Sequence, residues 1–253
     1  IERTIKKVER ICMFGLFKKK PQPIDDEISK DHLITSLREK LGSMNDIDRI
    51  TVGGQEMFNF LMIPHKDDTE PRLPIQIFLC VSSMLAGYAA QVAVRVESPE
   101  TILEIDMKNG QKFYLGDGIL QKIFVEKYSP WSFVGGGMKQ IGKTKTFKAF
   151  DIQECVGHSA QVMGSDDFYA IRVPKKHQPD VLAPKDFVGL CKTCSEHLGV
   201  IIPNQQEWAS CYGFVLQQAI IHAKDIIDPN VALTIIAESM LIASKLDLLL
   251  KEK

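Results

Sequence analysis

The chain has 253 residues, 45% hydrophobic and 25% charged, enough apolar side chain for a sizeable core, which excludes disordered, collagenous and coiled-coil classes. Its net charge of −1 hides an asymmetry: residues 1–20 carry seven Lys/Arg against two Glu, leaving −6 for the remainder, and an acidic body argues against nucleic acid as a partner. Six cysteines (Cys12, Cys80, Cys155, Cys191, Cys194, Cys211) in a chain of this length are expected to pack as core thiols in a reducing, cytoplasmic compartment.

Residues 1–24 are read as a basic tail, with Ile1, Ile5, Val8 and Cys12 on one face if helical. The apolar run Ile11–Phe17 passes straight into Lys18-Lys19-Lys20, so no secretory leader is expected. An α+β body is expected over 25–173 and a helical part over 185–253, packed together as one globular unit, with the proline-rich stretch 174–184 as the boundary.

Leu33, Leu37, Leu41 and Met44 recur at helical spacing, with Gly42 as a stop. Residues 48–63 read as two short strands separated by Gly53-Gly54. From Pro74 to Val94 no residue is charged, a length sufficient to cross a bilayer. Gln76, Ser82, Ser83, Gly87 and Gln91 argue instead for the buried centre of a globular domain.

Ile102–Met107 and Gln111–Leu115 flank Lys108-Asn109-Gly110, and Asn-Gly is the pair that turns a hairpin at least cost in backbone strain. Asp117 is expected to cap a helix carrying Leu120, Ile123 and Phe124, and a second stripe runs through Ile152, Cys155, Val156, Ser159 and Met163. Phe168–Val173 looks like another strand.

Asn204 with Glu207, and Asp228 before Pro229, announce two C-terminal helices. Joined by a tight turn, these should form an antiparallel hairpin. The expected fold class is therefore α+β, helix-dominated, with a small antiparallel sheet from residues 48–63, 102–115 and 167–173 and a C-terminal helical hairpin.

Gly137-Met-Lys-Gln-Ile-Gly142-Lys143-Thr144 meets the spacing of the phosphate-binding loop of P-loop NTPases. There the glycine backbone would wrap the phosphates, Lys143 would reach their oxygens and Thr144 would hold Mg²⁺. The context is poor, because only Trp131–Val134 precedes the glycines as a strand and no second apolar run ends in a magnesium-orienting Asp. A weaker form is an anion-binding loop of Gly135-Gly136-Gly137 with Lys139, Lys143, Lys145 and Lys148.

Cys191-Lys-Thr-Cys194 has redox-pair or half-zinc-knuckle spacing, but Phe187, Leu190, Cys191, Cys194 and Leu198 form one apolar stripe, which makes both cysteines core residues and no metal site is assigned. No Gly-x-Ser-x-Gly, His-Glu-x-x-His or dinucleotide glycine motif is present. The expected function is thus a non-catalytic cytosolic binding or assembly protein, with protein partners or a homo-oligomer through amphipathic helices. The alternative is a nucleotide- or phosphate-binding enzyme using residues 137–144, and no cofactor is assigned.

Overall fold

The computed structural model describes residues 35–62, 74–107, 110–179 and 184–247. The fold is helix-dominated α+β with a small antiparallel sheet. The basic tail, with its expected amphipathic face, lies outside the described residues. Residues 35–42 are helical, as the leucine spacing requires.

The region expected to form two strands over 48–63 is instead one helix, α1 (Asp46–Met62). Gly53 and Gly54 make no turn. A Cβ on Gly53 would stand 2.6 Å from Ile202 Cγ1, and one on Gly54 would stand 2.8 Å from the Cys211 carbonyl oxygen. The pair is there for close helix packing, and the short alternation around Phe58 and Phe60 belongs to a helical stripe with Ile50 and Met57.

The uncharged segment forms α2 (Ile75–Glu97). Among the described residues it is one helix long and apolar enough to cross a membrane, and 78% of its apolar window is buried inside the protein. Two of its buried polar side chains bond within the protein, while Ser82 Oγ has no hydrogen-bond partner among the described residues. Gln91 Nε2 donates to the carbonyls of Ser244 and Leu246, both at 3.1 Å, and Ser83 Oγ donates to the Leu79 carbonyl at 2.6 Å.

Strands β1 (Leu103–Asp106) and β2 (Lys112–Leu115) pair antiparallel, Leu103 opposite Leu115 and Asp106 opposite Lys112. Gly110 takes the left-handed φ of 82° that closes the hairpin. The strand expected at 167–173 is absent: a 3-10 turn (Asp166–Tyr169) and irregular chain occupy it, and the Arg172 backbone N–H donates to the Glu238 carboxylate at 2.8 Å instead of to a neighbouring strand. The sheet therefore has two strands, with a lone bridge from Phe113 to Leu246 at its edge.

Short helices follow: α3 (Asp117–Phe124), α4 (Pro130–Gln140), α5 (Thr144–Ala149) and α6 (Ile152–Gln161). Asp117 is inside α3, whose cap is Gly116, whereas Ser129 and Asp151 cap α4 and α6 through their side chains. The chain ends in α7 (Pro184–Ile201), α8 (Trp208–Ala223) and α9 (Pro229–Ala243). Asp228 caps α9 by accepting from the N–H groups of Asn230 and Val231, and Asn204 caps the 3-10 turn Gln205–Glu207 that leads into α8.

One continuous core runs from Leu41 to Leu246. The last two helices form a hairpin splayed around α2: α9 packs chiefly on α2, whereas α8 packs on both α4 and α2 and also holds α1. Nearly every residue of α9 from Ala232 to Ala243 is buried, so it has no solvent face.

Candidate functional site

The expected anion-binding residues lie on a helix–turn–helix. Gly137 is buried within α4, where a Cβ would stand 3.0 Å from the Gln217 carbonyl oxygen, and Gly135 faces the Phe147 ring. The triple glycine is thus a helix-packing surface rather than a loop, and Trp131–Val134, too short for the strand that a phosphate loop follows, lies in the first turn of α4. Gly142 makes the turn with φ of 74°, while Lys143 and Thr144 are exposed. The N–H groups of Ile141, Gly142 and Lys143 donate to the carbonyls of Gly137, Lys139 and Met138 at 3.1, 3.1 and 2.8 Å, so these three amides are already used.

Cys80, Cys155, Cys191, Cys194 and Cys211 are buried thiols. Burial pushes the Cys191 thiol well up, with Cys194 adding to the effect, which keeps the sulfur protonated and poorly nucleophilic. Among the described residues no group of three or more His, Cys, Asp and Glu is placed to hold a metal ion. His197 stacks on Phe60 with centroids 4.1 Å apart, and burial lowers its pKa.

A polar cluster stitches α6 and the 172 segment to α9. Lys245 Nζ donates to Ser159 Oγ at 2.9 Å and to the Leu241 carbonyl at 3.2 Å. A Ser–Lys pair is one arrangement that can activate a hydroxyl, but Ser159 is 5% exposed and Lys245 6%, which denies a substrate carbonyl access. The ammonium instead binds the Leu241 carbonyl in the last turn of α9. Arg172 Nε donates to Glu238 at 2.6 Å, and its other nitrogens bind Glu154.

The accessible feature is a cleft of about 440 Å³ between α2, α7 and the start of α8. From α2 come Leu85, Tyr88, Ala89, Val92, Arg95 and Val96, a stripe at intervals of three and four that the helical period turns to one side. Cys191 and Ser195, one turn apart, supply the α7 wall. Gln205, Trp208 and Tyr212 close the third side, and the Trp208 indole is pinned by donating to the Ile202 carbonyl at 2.7 Å.

The walls are mostly apolar, and polar groups are few. Burial raises the Tyr88 phenol to about 12, with Cys191 adding to the effect and Arg95 opposing it, so it stays neutral and able to donate. Tyr212 is likewise pushed well up by burial. Among the described residues Arg95 is the one charged side chain of the lining, and its guanidinium sits 4.3 Å from the centroid of the Tyr114 ring.

None of Gly137, Gly142, Lys143 and Thr144 lines this cleft. Sequence reading missed the cleft residues because their convergence is tertiary. The available signal was the α2 stripe from Leu85 to Val96, ending on Arg95 as the first charge after the uncharged run. The chain matches no family model, no curated protein and no solved structure.

Proposed function

We propose that this chain is a non-catalytic binding protein of a reducing cytoplasm, and that the cleft between α2, α7 and α8 takes a small, largely apolar ligand. The observation that carries this reading is the cleft itself. Its volume of about 440 Å³ falls in the range of small-molecule sites, roughly 300–1,000 Å³, and its lining joins an apolar body to a few polar groups. The helices α8 and α9 have their apolar faces turned into the core, which favours the cleft over helix faces as the binding element. The buried, protonated thiols and the absence of a substrate path to Ser159 favour binding over turnover.

The test is titration with the neutral fluorescent probe N-phenyl-1-naphthylamine. Saturable binding at one site per chain is expected, and Val92→Trp, which fills the cleft from a half-buried position, should weaken it at least tenfold while leaving the melting temperature close to wild type. Probe binding indifferent to Val92→Trp would place the site elsewhere.

A further inference from the structure

We infer that the cleft selects a monoanionic amphiphile, with the acidic head on Arg95 and the apolar body along Leu85, Ala89, Val92 and Trp208. The inference rests on the ligand-cleft reading above and adds the chemical class of the ligand.

Charge complementarity is the first support. Among the described residues Arg95 is the sole charged side chain of the lining, while Tyr88, Tyr212 and Cys191 hold their protons in a desolvated wall. A neutral wall around one guanidinium favours an anion over a cation or a neutral polar head.

Availability of the guanidinium is the second. Among the described residues no ion pair ties Arg95 to a carboxylate, and its guanidinium lies over the face of Tyr114. Stacking on a ring uses the π surface of the guanidinium and leaves its N–H edge for a planar two-oxygen acceptor. Two carboxylates of this region have lysine partners: Glu104 is bound by Lys112 at 2.7 Å, while also feeling the Arg95 charge, and Glu97 faces Lys122 at 3.8 Å. Asp247, whose charge acts on Tyr88 and Tyr114, does not line the cleft.

The shape of the lining is the third. Arg95 and Val96 end the α2 stripe, whereas Leu85 lies nearly three turns deeper, so the polar and apolar ends of a ligand are separated along one helix.

The experiment compares decanoate, decanol and decylammonium, each below its micellar concentration, by calorimetry on the full chain. Decanoate should bind about tenfold more tightly than decanol, as a charge-assisted contact at a partly wet rim would give, and decylammonium weakest. Arg95→Gln should bring decanoate to the level of decanol without changing decanol, and Arg95→Lys should keep part of the preference. Equal affinities for decanoate and decanol in the wild type, or equal losses of both in Arg95→Gln, would overturn the anionic head while leaving the cleft as the site. Binding of none of the three, together with no binding of N-phenyl-1-naphthylamine, would overturn the cleft reading as well.

Discussion

Two buried ions set the local energetics of the α9 end. Lys245 is pushed down to about 8 by burial, so between about 8 and 10.5 the unfolded chain holds a proton that the folded chain has released. In that window the Lys245 contribution to stability rises with pH, and below it the penalty for the buried charge is present in full. The buried cysteines shift the other way, but they are common to wild type and Lys245→Met. The stability difference between the two should therefore move by about 2 kcal/mol in favour of wild type from pH 7.5 to pH 10, read from urea midpoints; a pH-independent difference would contradict the assignment.

Glu238 is 3% exposed and held by Arg172. Arg172→Met leaves that carboxylate with a backbone partner but no countercharge and should cost about 2 kcal/mol, most of it recovered in the double variant with Glu238→Leu. Lys143→Ala, at an exposed position whose backbone N–H is already bonded, should change neither stability nor affinity for ATP. Measurable ATP binding lost in that variant would restore the nucleotide reading. None of the polar partnerships was legible in the sequence: Lys245 and Ser159 are 86 residues apart, and nothing local distinguishes a buried lysine from a solvated one.

At the scale of elements, what was local was legible. The uncharged run from Pro74, the hairpin closing at Gly110 and the Asp228-Pro229 start of α9 each carry their signal within a few residues, and each formed as expected. Glycine was the main source of error, because in this chain it serves contact between helices as well as turns. Gly53-Gly54 and Gly135-Gly136-Gly137 read as breaks, yet they sit inside α1 and α4 where other backbones and rings approach. The sharpest case is Gly87, where a Cβ would stand 2.1 Å from the Met240 carbonyl oxygen. Gly87→Ala should force α2 from α9 and destabilise the protein by about 3 kcal/mol, whereas Gly142→Ala, with open space but φ of 74°, should cost about 1 kcal/mol. Guanidinium denaturation midpoints give the comparison, and equal losses would argue against a backbone contact between α2 and α9.

For the whole molecule, α2 is the member around which the rest is arranged: one side is covered by α8 and α9, and the stripe ending at Arg95 faces the cleft. A single helix thus supplies both the centre of the core and the wall of the proposed site. The helix was readable from composition, whereas the cleft required α7 and Trp208 to arrive from more than a hundred residues away.

The claim that this cleft binds a ligand is tested most directly by Trp208, which lines it and is one of two tryptophans in the chain. In Trp131→Phe, where the other tryptophan is replaced within its aromatic packing with Phe147 and Phe150, emission comes from Trp208 alone. Titration with decanoate should shift that emission saturably at one site per chain, and the shift should disappear when the non-fluorescent blocking substitution Val92→Phe is added to Trp131→Phe. Unchanged Trp208 emission at concentrations where calorimetry shows decanoate bound would contradict the account.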